Sequence, residues 1–135
     1  AVLRIKLKEL DQYILNRQKA ANYYDQNLKD LDQLTLPFRN LDSNHVFHQY
    51  TLKLDDSIVR DELIQYLADK NIPAMVYYPV PAHRQKMFSK IPNSYGNMKV
   101  TNWLSSRVFS LPMHTELSTL QQDYIIENIS NFLNK

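Results

Sequence analysis

Apolar residues recur every three or four positions over the first thirty residues, which is the period of an amphipathic helix. The stripe is interrupted once, where Arg17 or Gln18 takes the apolar place. This spacing predicts one long helix over residues 1–33, longer than the core of a small domain needs. Packing against a sheet is the simpler role for the stripe; a dimerising coiled coil is the alternative, which the missing apolar position weakens. The stripe consists of Leu3, Leu7, Leu10, Ile14, Ala21, Tyr24, Leu28 and Leu31.

Two segments farther along the chain have the patterns of β-strands. Residues 72–78 form a short apolar run, which predicts a buried strand. Residues 45–54 alternate between apolar and polar positions. His48 falls on the more apolar side, so we expect a core histidine with a satisfied ring rather than a ligand. The residues on that side are Val46, His48, Tyr50, Leu52 and Leu54.

A helix is predicted between these two strands. Ser57 is placed to cap its start, and the helix runs to about Lys70. Asn71 suits the left-handed position that ends a helix, because asparagine tolerates a positive φ better than most residues. The inward positions of this helix are Val59, Leu63, Tyr66 and Leu67.

More helices are predicted in the second half of the chain. Shorter ones are expected over residues 84–90 and 100–109, with an exposed turn at 92–96 between them. Ser118 and Gln121, three residues apart, form a capping box that opens a final helix. The inward positions of that helix are Leu120, Tyr124, Ile125, Ile129, Phe132 and Leu133.

Together these elements predict an α+β fold in which a small sheet is covered by helices. Strand, helix and strand follow one another with short connections, which indicates a βαβ-like or split arrangement. We expect one domain over residues 1–135, with a linking helix over 1–33 and an α/β core over 45–135. The chain opens on Ala1 inside a helical pattern, so we also expect it to be a piece of a longer protein.

Composition and charge disfavour several classes of function. The chain has no cysteine, which excludes disulfides and thiolate metal sites and agrees with a reducing compartment. The net charge is only +2, with acids and bases interleaved, so no nucleic-acid partner is expected. No apolar run approaches the roughly 18 residues that a membrane span needs, and no signal peptide is visible. We therefore expect a soluble, cytoplasmic protein without a membrane partner.

Self-contained catalysis is disfavoured as well. Gly96 is the only glycine, and phosphate-binding turns and nucleophile elbows depend on glycine. His45 and His48 would lie on opposite faces of a strand, so no metal site is expected. None of the lysines has the apolar surroundings that activate a catalytic lysine. We expect no catalytic residue, no metal ligand and no cofactor-binding residue in this chain.

The stretch that carries the most chemistry is the segment 77–85, Tyr-Tyr-Pro-Val-Pro-Ala-His-Arg-Gln. Its two prolines fix φ and stiffen the backbone. The rings of Tyr77, Tyr78 and His83 combine a flat surface with a polar tip, so they can stack on a ligand and also form a hydrogen bond. We therefore predict that this segment is a loop that contacts a ligand.

This loop is one of an ordered set of motifs that resembles the C-terminal domain of the DegT/StrS-type nucleotide-sugar aminotransferases. The resemblance covers essentially all 135 residues. No single motif is specific, but their order and separations are. The motifs are the opening segment 1–11, His48-Gln49-Tyr50, the segments 60–63 and 71–73, Tyr78-Pro79-Val80-Pro81 with His83 and Gln85, and the segment 110–114.

The resemblance implies the small domain of a pyridoxal-phosphate enzyme of the aspartate-aminotransferase fold type I. Such an enzyme is usually a homodimer and moves an amino group from an amino acid such as glutamate to a nucleotide-linked keto sugar. In the family, the lysine that binds the cofactor lies upstream, so this chain is expected to be inactive alone and to bind no pyridoxal phosphate.

The resemblance also implies roles for individual residues. Tyr78 and His83 match family residues that contact the sugar substrate, and Tyr77 stands where the family often has a histidine. We therefore expect all three to bind substrate. His114 also matches a family residue, but we expect it to be structural. The alternative reading is a free-standing, non-catalytic α/β regulatory or interaction module whose first helix pairs with a partner.

Overall fold

The computed structural model describes residues 2–88, 90 and 96–134. Five α-helices and three strands make up the regular structure of these described residues. A 3₁₀ turn at Leu7–Glu9 separates the first two helices. The elements are α1 (Val2–Lys6), α2 (Leu10–Leu28), β1 (Leu34–Thr35), β2 (Tyr50–Leu54), α3 (Arg60–Asp69), α4 (Lys99–Ser105), β3 (Val108–Leu111) and α5 (Thr119–Leu133).

The three strands form an antiparallel sheet in the order β1-β2-β3. Leu52 pairs with Phe109 at its centre, and both side chains are buried on the same face. On the opposite face, Thr51 and Ser110 share a hydrogen bond of 2.7 Å between their hydroxyls. Strand β2 is buried on one face because apolar and polar residues alternate along it.

Helices α2, α3 and α5 cover the apolar face of the sheet. Ala21, Tyr24 and Leu28 of α2 join the same buried cluster as the strand residues. The helices are also tied to each other, because the buried amide of Gln122 donates to the carbonyl of Ala20 at 2.9 Å. The observed architecture confirms the predicted α+β fold of a small sheet covered by helices.

Residues 2–12 lie outside this core. Every described residue from Val2 to Gln12 is exposed, although the periodic stripe continues through them. The helix predicted over 1–33 is also interrupted by the 3₁₀ turn at Leu7–Glu9, and it ends at Leu28. Only its second half is packed on the domain, so a stripe of suitable spacing did not by itself indicate burial.

The segment before β2 departs most from the sequence-based expectation. The strand begins at Tyr50 instead of residue 45, because Phe47 adopts a left-handed conformation with φ 49°. This conformation reverses the alternation: Phe47 is buried, while Val46 and His48 are exposed. The prediction that His48 is a core histidine is wrong.

Residues 72–78 do not form a regular strand. Only Met75 makes a bridge, antiparallel to Ser110 of β3. Pro73 has no N–H to donate. The N–H of Ala74 donates to the nearby carbonyl of Ile72, so it is not available to a neighbouring strand. Because β2 and the Met75 segment both run antiparallel to β3, they are parallel to each other with β3 between them. This matches the predicted split arrangement.

One of the predicted helices is replaced by other structure, and another is shorter than predicted. Residues 84–90 contain 3₁₀ turns at Ala82–Arg84 and Lys86–Phe88 instead of an α-helix. In the segment 100–109, helix α4 ends at Ser105, and Val108 begins β3. Short apolar runs fit a helix and a strand about equally well. The residue pattern therefore did not show where the helix ends and the strand begins.

Helix termini were predicted with mixed success. The capping box of Ser118 and Gln121 is present, and Asn71 has the expected positive φ of 58°. Ser57 does not cap α3, which begins after Val59 without a side-chain cap. The backbone N–H of Ser57 instead donates to the carboxylate of Asp55 at 2.8 Å, and this bond holds the pKa of that carboxyl below its usual range.

Some predicted core positions are exposed. Leu120 is 80% exposed and Tyr124 is 47% exposed, so the inward face of α5 is narrower than predicted. Val59 is also exposed, since it precedes α3 instead of lying within it. Of the turn predicted at 92–96, Gly96 has a positive φ of 59°; residues 92–95 lie outside the described residues.

Candidate functional site

The loop that was predicted to contact substrate follows the Met75 bridge and is largely exposed. Tyr78 is 78% exposed and Tyr77 is 48% exposed. Pro79 and Pro81 prevent a continuous helix or strand here, and the 3₁₀ turn at Ala82–Arg84 follows at once. The two phenols are therefore presented on the surface by a stiff segment.

Tyr78 lines a groove of about 580 Å³ with the segment that precedes β2. We call this the Tyr78 groove. Its polar lining consists of imidazoles, an amide, a phenol and a hydroxyl, and no Asp or Glu is among the described residues that line it. The groove therefore favours an oxygen-rich or anionic ligand over a cation. Its lining residues are Pro37, His45, Val46, Phe47, His48, Gln49, Thr51 and Tyr78.

The buried Phe47 ring anchors the wall of the groove. The guanidinium of Arg39 lies 4.0 Å from the centre of this ring, and the His45 ring packs on it with 4.2 Å between ring centres. The N–H of Phe47 also donates to Nδ1 of His45 at 3.0 Å. In neutral His45, Nε2 therefore carries the ring proton.

A half-buried charge cluster lies behind Phe47. Nε of Arg39 donates to Oδ2 of Asp25 at 2.8 Å, and Nη2 of Arg39 donates to the same oxygen. The other oxygen, Oδ1, accepts from the phenol of Tyr50 at 2.6 Å. Burial, aided by the bond to Asp25, raises the pKa of the Tyr50 phenol above its ordinary value. The phenol therefore remains a donor to Asp25 at neutral pH.

The Tyr78 groove contains one of the three predicted substrate residues. Tyr77 and His83 are not among the described residues that line the Tyr78 groove. Nε2 of His83 lies 3.1 Å from Oδ1 of Asn102 in α4, so the His83 ring is held against that helix. Of the three, Tyr78 is the residue that lines the Tyr78 groove with other polar side chains.

Sequence reasoning missed His45, His48 and Gln49 as groove residues. These residues line the groove because of the left-handed turn at Phe47. Phenylalanine rarely adopts a positive φ, so a turn at this residue was not expected. The sequence therefore gave no local indication of this turn. It depends on the contacts of Arg39 and His45 with the Phe47 ring, which only the folded structure shows.

His114 lies in a separate, more apolar groove of about 360 Å³ that is lined by Pro73, Leu117, Tyr124 and their neighbours. Its Nδ1 accepts a hydrogen bond from the backbone N–H of Glu116 at 3.2 Å. This bond stabilises the turn before α5, in agreement with the structural role expected for His114.

The described residues do not fit a pyridoxal phosphate site. Such a site needs a desolvated lysine and a close-fitting phosphate cradle. Every lysine in the described part of the chain is exposed or only half-buried, and Gly96 has open space around it. No step of cofactor chemistry is therefore assigned to these residues.

Residues 2–88, 90 and 96–134 contain neither a metal-binding cluster nor a membrane-spanning helix. No group of three or more His, Cys, Asp or Glu side chains there could hold a metal ion. No described helix is both long and apolar enough to cross a membrane.

Comparison with known proteins gives a consistent result. A model of the DegT/DnrJ/EryC1/StrS aminotransferase family matches residues 1–130. The UDP-N-acetyl-3-dehydro-alpha-D-glucosamine 3-aminotransferase of Acidithiobacillus ferrooxidans is 38% identical over 116 residues, which are 86% of this chain and 30% of that protein. The pleiotropic regulatory protein of Geobacillus stearothermophilus is 35% identical over 134 residues, which are 98% of this chain and 35% of that protein.

A solved structure agrees with these relatives. The crystal structure of S. venezuelae DesV in complex with a ketimine intermediate has a TM-score of 0.90 and 28% identity, and the match covers 99% of this chain and 35% of that one. The chain thus spans about a third of the length of the curated relatives it matches.

Proposed function

Because the chain belongs to the DegT/DnrJ/EryC1/StrS aminotransferase family, we propose that it is the C-terminal, substrate-capping domain of a sugar aminotransferase. The family match confirms the resemblance seen in the sequence motifs. The complete enzyme transfers an amino group from an amino acid, with glutamate the expected donor, to a keto sugar carried by a nucleotide. The observation that supports this role best is the Tyr78 groove.

The cofactor belongs to another part of the enzyme in this proposal. Pyridoxal phosphate, when bound there, supplies the electron sink that amino-group transfer requires. The present domain binds and orients the sugar substrate and helps to keep water out. As a homodimer, the enzyme can place this domain over the active site of either subunit.

The roles of the three loop residues follow from their positions. Tyr78 donates a hydrogen bond from its exposed phenol to an oxygen of the nucleotide sugar, and its ring provides a flat contact surface. Tyr77 provides a second exposed phenol one residue away. His83 contacts the substrate near the base of the loop, where Asn102 fixes the orientation of its ring.

Variants of the complete enzyme test this function. We expect Tyr78→Phe and His83→Ala each to lower kcat/KM for the keto sugar about fivefold to tenfold, the effect of losing one hydrogen bond. Cofactor occupancy, measured by absorbance, is expected to stay unchanged. A panel of UDP-linked and dTDP-linked keto sugars would identify the substrate.

Tyr124→Phe is the matched control, since Tyr124 is a half-exposed phenol outside the Tyr78 groove. It is expected to leave kcat/KM for the sugar near the wild-type value. If Tyr78→Phe and His83→Ala instead removed cofactor in proportion to activity, the loop would serve the cofactor, and the proposed roles would be wrong.

A non-catalytic regulatory or interaction module is the second candidate. It is favoured by the name of the Geobacillus relative, a pleiotropic regulatory protein, and by the exposed apolar residues of α1, such as Leu3 at 82% exposure. Amino transfer to any keto sugar by the complete protein would exclude a purely regulatory role.

A further inference from the structure

No interaction with the described residues explains the position of the His48 side chain. It is exposed in the Tyr78 groove, and its side chain forms no hydrogen bond or ion pair with the described residues. The nearby His45 differs, because Nδ1 of its ring accepts a hydrogen bond from the backbone N–H of Phe47. His48 therefore has both ring nitrogens available to a ligand, two residues before the start of β2.

The backbone turn at Phe47 determines where His48 lies. In a regular strand, His48 would share a face with the buried Tyr50, because side chains two residues apart lie on the same side. The left-handed φ of 49° at Phe47 breaks this relation. A positive φ at a bulky residue is strained, so other contacts must hold the turn.

Arg39 supplies contacts of the required kind. Its guanidinium lies over the Phe47 ring, and two of its nitrogens donate to the carboxylate of Asp25 in α2. That carboxylate is fixed in turn by the phenol of Tyr50 at the start of β2. The cluster thus connects helix α2, the loop that carries Arg39 and the buried ring that sets the turn.

We propose that His48 is a further substrate-contacting residue of the Tyr78 groove, and that Arg39 is the positioning residue that holds it there. This inference rests on the proposed function. The bound group is an oxygen acceptor of the nucleotide sugar, its phosphates above all. The imidazole and phenol of the groove donate hydrogen bonds to such oxygens, and no carboxylate is among the described lining residues to repel them.

The His48 contact is tested by steady-state kinetics of the complete enzyme with the two substrates varied separately. We expect His48→Ala to raise KM for the nucleotide sugar about fivefold to tenfold, while KM for the amino donor stays unchanged. Inorganic pyrophosphate, used as a competitive inhibitor against the sugar, is expected to bind more weakly by a similar factor.

His114→Ala is the control for imidazole removal, because His114 lies in the other groove. It is expected to leave KM for the sugar unchanged. If His48→Ala left KM for the sugar and pyrophosphate inhibition unchanged, or if it raised KM for the amino donor instead, the assignment of His48 would be overturned.

The role of Arg39 needs a test that separates positioning from stability. Arg39→Ala removes both the ring contact and the bonds to Asp25, whereas Arg39→Lys keeps the charge. We expect Arg39→Ala to raise KM for the sugar about as much as His48→Ala does and to change kcat less than twofold. Arg39→Lys is expected to recover part of the loss.

Arg107→Ala is the matched control for a destabilised arginine variant. Arg107 pairs with Asp56 at 3.1 Å and donates to the carbonyl of Ile58 at 2.9 Å, away from the Tyr78 groove. We expect Arg107→Ala to lower the free energy of unfolding without changing KM for the sugar. If Arg39→Ala only lowered stability, as Arg107→Ala does, Arg39 would not be a positioning residue.

These outcomes can be distinguished from failure of the proposed function. If Tyr78→Phe lowers kcat/KM for the sugar and His48→Ala does not change its KM, the domain binds sugar and only the His48 inference is wrong. If no keto sugar accepts an amino group in the presence of an amino donor, the proposed function itself is wrong.

Discussion

Ile129→Ala in α5 is expected to lower the free energy of unfolding by about 3 kcal/mol, within the range found when buried isoleucine is truncated. Ile129 is fully buried and belongs to the cluster formed by α2, α3, α5 and the sheet. Its replacement removes apolar contacts and leaves a cavity that the surrounding helices fill only in part. Urea unfolding of both proteins, followed by circular dichroism, measures the difference.

Leu120→Ala in the same helix is the matched control. Leu120 is 80% exposed, so its truncation is expected to cost less than about 0.5 kcal/mol. The pair tests the correction made to the inward face of α5, because the residue pattern alone placed both side chains in the core. Equal losses of stability for the two variants would contradict the packing of α5 described above.

Asp25→Ala is expected to have the second-largest effect, a loss of about 2 kcal/mol in the free energy of unfolding. The substitution leaves the Arg39 guanidinium and the Tyr50 phenol without their shared acceptor. Tyr50 is fully buried, so water cannot readily replace the lost bond. The estimate stays below that for a fully buried ion pair because the side chains of Asp25 and Arg39 retain 25% and 34% exposure.

A double-mutant cycle separates the contributions within this cluster. Asp25→Ala, Arg39→Ala and the double variant are expected to be non-additive by about 1 kcal/mol, since either single change disrupts the same ion pair. Asp123→Ala is a suitable control, because the bond that Asp123 accepts from Tyr23 is exposed to solvent. Additive effects of Asp25→Ala and Arg39→Ala would show that the ion pair between them does not contribute to stability.

The parts of the fold that depend on local chemistry were predictable from the sequence. The capping box of Ser118 and Gln121 and the left-handed Asn71 both depend on a few neighbouring residues, and both were found. The alternation of Tyr50, Leu52 and Leu54 likewise identified the buried face of β2. These features require only short-range interactions and one apolar face.

The parts that depend on distant contacts were not predictable. Val108 and Phe109 fit a helix as well as a strand, and pairing with β2 decided the outcome. The turn at Phe47 is held by Arg39 and by Asp25, which is 22 positions earlier in the sequence. A window of neighbouring residues contains none of this information.

The candidate site shows the same division. Prolines and aromatic rings in one stretch identified the loop of Tyr77 and Tyr78, and the structure exposes both side chains. The other wall of the Tyr78 groove was missed because alternation placed His48 in the core. That wall exists only because tertiary contacts override the pattern of the strand.

The central proposal is that this chain contributes no cofactor chemistry of its own to the enzyme. Titration of the 135-residue chain with pyridoxal phosphate, followed by borohydride reduction and mass spectrometry, tests it most directly. The account predicts no saturable absorbance band and no modification of a specific lysine, because the lysines of the described residues are all accessible to solvent. A stoichiometric band with one lysine modified would contradict it.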